Sequence, residues 1–474
     1  MYASTMGSRN TIHSTIDDLR ASPKVRREAG RSRRETVPLE AHAEVRADAA
    51  VRDPLSILAQ QDATRLAEVV PIRYWRMSRT PFTFFRGAAA IMASDLAAGC
   101  STDLRVELCG DAHLGNFRLY FSPDRQLVFD LNDFDETLPG PFEWDVKRLA
   151  ASITVVARNN GFSKAQTRAA TRYAMQNYRV SVGDAAGLNP LDLYYYRFGA
   201  EAIIERIRKD GKKRRQRVEK ILKKAARKNS LRALRKYTDI VNGRRVIVPD
   251  PPLVVPVEED LAVGAPDGIS ALFERYRETL PLDRRLLVDR FTPVDAAKKV
   301  VGVGSVGTRC LILLLEAGDG TPLFLQFKQA VASVLEPYLG PSVYEQAGQR
   351  VVEGQRLIQA TSDAFLGWAR YQRDKEPDVD FYFRQLWDGK GKMDVETMQA
   401  DGLAAFAGLC GKTLAFAHAR SGDAIMIHGY IDAGAIFDEI MVEFADRYAN
   451  LTESDHARLR EAIGEGNIEA ICDI

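Results

Sequence analysis

Several absences narrow the range of functions open to this chain. The five cysteines, Cys100, Cys109, Cys310, Cys410 and Cys472, are odd in number and scattered, and no CxxC pair occurs. That argues against a disulfide framework and a structural zinc site, and fits a reducing, cytoplasmic setting. No run of about 18 apolar residues is present, so no membrane span is expected. Residues Arg9, Arg20, Lys24, Arg26 and Arg27 are not followed by the apolar core of a secretory signal. The missing Gly-x-Ser-x-Gly elbow disfavours a nucleophilic hydrolase. A formal net charge of only +2 gives no global field for nucleic acid or membrane, so charge has to be read locally.

With 474 residues the chain exceeds one ordinary core, and an α+β arrangement of more than one lobe is expected. Residues 1–50, rich in Arg, Ser, Glu and Ala, read as a mobile basic tail with room for one short helix. Residues 51–250 read as a lobe of mixed helix and strand. Its aromatic cluster, Tyr74-Trp75 and Phe82-Thr83-Phe84-Phe85-Arg86-Gly87, leads into a helix over 88–98. Short strands are predicted at 104–108, 117–121 and 126–131, and helices at 143–159 and 163–182.

A basic helical insertion occupies about 200–240, where Arg206 to Lys236 holds sixteen Lys or Arg against Asp210 and Glu219. It reads either as a solvated face or as a surface for an anionic partner, and its lack of aromatics disfavours nucleic acid. Pro249-Asp250-Pro251-Pro252 marks a boundary. Residues 251–394 turn β-rich, with one long helix over 342–361. Residues 395–474 read as helices that pack back on the first lobe.

Two clusters carry chemistry. The first is Gly110-Asp111-Ala112-His113-Leu114-Gly115-Asn116, followed by Phe129-Asp130-Leu131-Asn132-Asp133-Phe134-Asp135-Glu136. Carboxylates this dense repel one another unless cations hold them. An Asp in a tight loop can deprotonate a hydroxyl, an Asn can offer its carbonyl oxygen to Mg²⁺, and a strand-end Asp can bridge metal and phosphate. His113 either binds phosphate or orders the loop. The second cluster is Gly302-Val303-Gly304-Ser305-Val306-Gly307, then a strand, a turn at Gly318-Asp319-Gly320, and a return strand with Lys328. A Gly-rich hairpin lets backbone N–H groups approach phosphates, and a strand lysine neutralises them. Taken alone, such a run is more often an ordinary turn.

The first cluster resembles the catalytic loop of the protein-kinase-like superfamily, closest to aminoglycoside and choline kinases. The resemblance implies that Asp111 is the catalytic base, Asn116 a metal ligand and Asp133 the principal metal carboxylate, with Asp130 as competitor. Asp145 resembles the later Asp that braces the loop. The second cluster resembles the nucleotide lobe, which implies that Gly302, Gly304, Ser305, Gly307 and Lys328 hold ATP. The helix from Ser342 would then supply Glu345 or Glu353 to the lysine. The catalytic-like loop precedes the glycine loop, so a two-lobed kinase-like fold is expected with its motif order circularly permuted.

From Tyr74 onward the chain also resembles an uncharacterised bacterial family known as domain of unknown function 2252. That likeness rests on the stretches 81–87, 109–117, 129–136, 143–149, 302–309, 350–356 and 417–423. The expectation is a phosphotransferase using ATP and Mg²⁺ or Mn²⁺ on an acceptor that the sequence does not name. The alternatives are a metal-dependent hydrolase that uses the Asp cluster without nucleotide, and a non-catalytic binding protein.

Overall fold

A computed structural model describes residues 19–46, 52–199, 230–251, 254–257, 266–299, 304, 306–372, 377–386 and 393–472. The expectations at Gly302, Ser305 and most of the Arg206–Lys236 block lie outside these residues. The architecture is mixed helix and sheet.

The N-terminal part carries helices α1 (Pro23–Thr36), α2 (Pro54–Asp62), α3 (Val70–Ser78), α4 (Pro81–Gly87) and α5 (Ala89–Ala97). Strands β1 (Arg105–Leu108), β2 (Phe117–Phe121), β3 (Leu127–Leu131) and β4 (Leu138–Pro141) follow, forming two small antiparallel pairs, β1–β4 and β2–β3. Helices α6 (Glu143–Asn159) and α7 (Lys164–Ala186) come next. Every residue of α6 from Glu143 to Ala157 is buried, so this helix is the axis of the helical body rather than an amphipathic cover.

Near the C-terminal end lie α11 (Ala400–Ser421), α12 (Ala424–Ile431) and α13 (Ile436–Gly464). The Ala/Gly-rich face of α11 lets it lie close to α7: a Cβ at Gly411 would stand 2.2 Å from the Ala174 carbonyl oxygen. α13 packs on α6, so the end of the described chain closes the core begun by its first half.

The middle of the chain builds a six-stranded antiparallel sheet. Helix α8 (Ser230–Tyr237) and the hairpin β5 (Thr238–Val241)–β6 (Arg244–Ile247) precede β7 (Val254–Pro256), α9 (Pro266–Glu278) and β8 (Phe291–Lys299). Then come β9 (Cys310–Ala317), β10 (Pro322–Ala330), α10 (Ala347–Ile358), β11 (Gly367–Tyr371) and β12 (Val379–Gln385), in the spatial order β11-β12-β10-β9-β8-β7. The β9–β10 turn needs a left-handed residue, which Gly320 supplies at φ +81°.

Strand alternation sorts this sheet's faces. Leu311, Leu313, Leu315, Leu323, Leu325 and Phe327 meet Leu272, Phe273 and Tyr276 of α9. Ile312, Leu314 and Phe324 on the opposite face pack with Tyr237 and Ile247, while Gln326 and Lys328 continue that face toward the helical body.

Three expectations change. Residues 23–43 are not a mobile tail: α1 docks on α12, because Gly30 and Gly429 let the two backbones approach. Arg26 pairs with Asp423, and Arg34 donates to the Gly429 and Tyr430 carbonyls. The boundary expected at 249–252 does not separate lobes, since Tyr237 and Ile247 already belong to the sheet's core. The helix expected from Ser342 begins at Ala347. Among the described residues, no helix is long and apolar enough to cross a membrane.

Candidate active site

The loop after β1 is held from below. Asp145, in the first turn of α6, accepts the N–H groups of Cys109 (2.7 Å) and Gly110 (3.1 Å). His418 of α11 lies 3.4 Å from Asp145 through Nε2 and 2.8 Å from the Tyr178 hydroxyl through Nδ1. Gly110 turns the chain at φ +78°, where a Cβ would strike the Glu136 carbonyl oxygen at 2.3 Å. The loop is therefore pressed against the acidic segment that follows β3.

Within the loop, Asp111 takes the guanidinium of Arg148 at 2.7 Å, and Arg148 also donates to the Phe85 carbonyl oxygen and lies over the Phe85 ring. Burial pushes the Asp111 carboxyl upward, and Arg148 opposes part of that shift. His113 Nδ1 accepts the Gly115 N–H at 2.9 Å, and its Nε2 stands 3.6 Å from Asp111. Asn116 donates its amide N–H to the Asp111 carbonyl oxygen at 2.6 Å. Its own carbonyl oxygen is the atom left to meet a cation.

The five carboxylates of the first cluster take separate paths. Asp130 turns away: it accepts Leu131 N–H (2.9 Å) and Ala360 N–H (3.0 Å) and lies 3.4 Å from Arg420. Burial raises its carboxyl, and it does not border the cavity described below. Glu136 accepts Val334 N–H at 2.8 Å and the Ser333 hydroxyl at 3.2 Å. Asp135 accepts Lys328 Nζ at 2.5 Å and the Tyr382 hydroxyl at 2.6 Å. Burial would raise Asp135, but Lys328 and Tyr382 outweigh it and hold the carboxyl below the usual range. Asp133 stands 3.5 Å from Lys328, yet its Oδ1 is buried without a hydrogen bond.

So the repulsion inferred from the sequence is relieved by Lys328 and Arg148, without calling on a metal. Among the described residues, no group of three or more His, Cys, Asp or Glu is arranged to hold one.

Lys328 is itself 2 % exposed, and Asp133 and Asp135 keep its ammonium charged against the cost of burial. Of the two acids expected beside it, Glu353 pairs with Arg356, and Glu345 is exposed, ahead of α10. Helix α10 instead sends Arg350, which donates to the carbonyl oxygens of Asp135, Thr137 and Val331.

A cavity of about 340 Å³ opens over the acidic loops, and Lys328 is not among the residues that line it. Asp111, His113, Asn116, Asp133, Asp135 and Glu136 border it from the body, and Gly304, Thr308 and Gln329 from the sheet side. Arg65, Arg86 and Arg118 also line it. Arg65 donates to the Val306 carbonyl oxygen, while Gly307, at φ +96°, receives the Leu66 N–H at 2.8 Å and packs on the Arg65 side chain. Val306 and Gly307 are thus clasped by the segment after α2. Arg65, Arg118 and Arg148 carry no motif signal, and Asp135, though inside the acidic run, has no role of its own in the sequence reading. Only their long-range pairing reveals them, and a single sequence does not display pairing.

Fold and site together define a mixed helix-and-sheet protein with a charged cleft where its large sheet meets its helical body. Residues 65–462 match the family described as an uncharacterized protein conserved in bacteria (DUF2252), and the chain belongs to that family. No curated protein and no solved structure matches it.

Proposed function

We propose that the protein is an ATP- and Mg²⁺- or Mn²⁺-dependent phosphotransferase with a two-lobed, kinase-like fold whose motif order is circularly permuted. The observation that carries the reading is the meeting of Lys328 with Asp133 and Asp135, at 3.5 and 2.5 Å, across nearly two hundred residues of sequence. A strand lysine beside strand-end carboxylates, under a glycine-bearing loop, is the constellation that phosphoryl transfer uses. The strand–turn–strand–helix run β9–β10–α10 supports the same reading.

Asp133, whose Oδ1 faces Lys328 Nζ at 3.5 Å without a hydrogen bond, and Asn116, with its amide N–H committed to the loop, fit a hard cation that also takes phosphate oxygens. Mg²⁺ needs few protein ligands of this kind, so the lack of a ready carboxylate trio does not count against it. Bound there, the ion would supply charge for the transferring phosphoryl group. Lys328 would meet phosphate oxygens, and Asp111 would orient and deprotonate the acceptor hydroxyl.

A hydrolase that uses the carboxylates alone is less well supported, because each already faces a partner, Asp133 through Lys328. Thermal denaturation with ATP, with metal and with both tests the reading. The expected result is a rise in Tm of several degrees that needs nucleotide and metal together. A rise with metal alone would favour the hydrolase, and no rise with any nucleotide would refute the kinase-like assignment.

A further inference from the structure

Arg86 is a cavity-lining cation that the phosphotransfer reading does not use. Arg86 borders the cavity next to Asp111, and its Nε is buried without a hydrogen-bond partner. It lies over the catalytic-like loop: a Cβ on Gly115 would stand 3.5 Å from that Nε. Its neighbours by charge are Glu396, Asp111 and Asp133, with Arg76 opposing, and none of these acids forms an ion pair with it. A guanidinium whose Nε is buried without a partner is costly unless a ligand engages it.

The chain breaks at Ala88, just beyond Arg86, and α5 starts without a side-chain cap. The first helical bond of that turn runs from Met92 N–H to the Ala88 carbonyl oxygen, so the N–H groups of Ala89 and Ala90 precede the ladder. Ala89 and Ala90 both border the cavity. An uncapped helix start beside a forked, unpartnered guanidinium is an anion cradle.

We propose that the acceptor is a small anionic hydroxy compound, its phosphate or carboxylate held by Arg86 and the first turn of α5 while its hydroxyl faces Asp111. This rests on the phosphotransferase reading and names its substrate class. Ile57 and the Pro337–Tyr338 step wall the same cavity and suit a short carbon skeleton. Arg65 is less suited to the task, because it is already committed to the glycine loop through the Val306 carbonyl oxygen.

The test is calorimetric titration of inorganic phosphate into the full chain, with and without saturating non-hydrolysable ATP analogue and Mg²⁺, for the wild type, Arg86→Gln and Arg86→Lys. The expected result is phosphate binding that persists in the nucleotide-loaded protein and weakens about tenfold or more in Arg86→Gln, as loss of a charged hydrogen bond requires. Analogue affinity should stay within about threefold. Arg86→Lys should bind phosphate several-fold more weakly than the wild type, which decides the matter if Arg86→Gln does not fold.

Phosphate binding indifferent to both substitutions would overturn the proposal. So would displacement of phosphate by the analogue, because Arg86 would then serve the nucleotide. Absent analogue binding with Arg86-dependent phosphate binding would defeat the nucleotide reading and leave the anion cradle standing. Acetate titrated in parallel separates a carboxylate ligand from a phosphate.

Discussion

Lys328 is the residue on which most of the site's electrostatics depend. Removing it in Lys328→Met leaves Asp135 beside Tyr382 with no ammonium and Asp133 without its nearest cation. The expected loss of stability is about 3 kcal/mol, the low end for a broken buried pair because both carboxylates border the cavity. Asp135 has a depressed folded pKa, so its contribution is present above the unfolded value near 4 and disappears as pH falls through the folded one. Urea denaturation should therefore show the gap between wild type and variant narrowing in acid.

Glu107 behaves in the opposite sense. Burial raises its carboxyl to about 7, so between roughly pH 4.5 and 7 the folded state keeps a proton that the unfolded chain has lost. Stability then falls as pH rises through that window. Glu107→Gln should flatten this fall and stabilise the protein at pH 8 by up to about 3 kcal/mol. A variant less stable than wild type at pH 8 would contradict the assignment. At this scale the tight turn of the Gly110–Asn116 loop was legible in the sequence, because its glycine, carboxyl and amide are local. The partners of Asp111 and Lys328 were not, because Arg148 and Asp135 acquire their meaning only through folding.

Among the elements, α10 shows how the sheet is held against the acidic loop. Gly354 lies on its inner face, where a Cβ would stand 2.3 Å from Thr137 Oγ1 and 2.8 Å from Glu107 Oε1. Alanine is the better helix former by about 1 kcal/mol, yet the clash dominates, and Gly354→Ala should destabilise by about 1–3 kcal/mol. Because Arg350 on the same helix holds the carbonyl oxygens of Asp135 and Thr137, nucleotide affinity should fall as well. Equal or higher stability in urea denaturation would show that the helix is not pressed there.

The strands at 104–108, 117–121 and 126–131 were readable within a residue or two, since each is a short apolar run ended by a turn. The docking of α1 was not, because an Arg-rich helix has little apolar signal and binds through two glycines and ion pairs. The place of α8 was hidden for a related reason: a basic stretch masks the single apolar edge, with Tyr237 on it, that packs on the sheet.

For the whole molecule, the order of parts is the informative feature. The acidic loop and the sheet come together through the Asp135–Lys328 and Glu136–Ser333 contacts, together with the bond from Gln359 to the Leu131 carbonyl oxygen. The last long helices return to the first half, where Ser421 receives Glu107 N–H and His418 reaches Asp145. Chain order and spatial order therefore differ. On the proposed reading, Asp111→Asn should leave ATP affinity within a few-fold while slowing transfer by about 10²–10⁴, measured as nucleotide turnover. Affinity and turnover falling together would place Asp111 in binding instead.

On the proposed reading, Lys328 and Asp133 are two halves of one metal–nucleotide site. Calorimetric titration of ATP with Mg²⁺ into the wild type, Lys328→Met and Asp133→Asn tests it most directly. The account predicts Mg²⁺-dependent binding to the wild type, at least tenfold weakening in Lys328→Met, and loss of the Mg²⁺ dependence in Asp133→Asn. Folded wild-type protein that takes up no ATP, or binding that both substitutions leave unchanged, would contradict it.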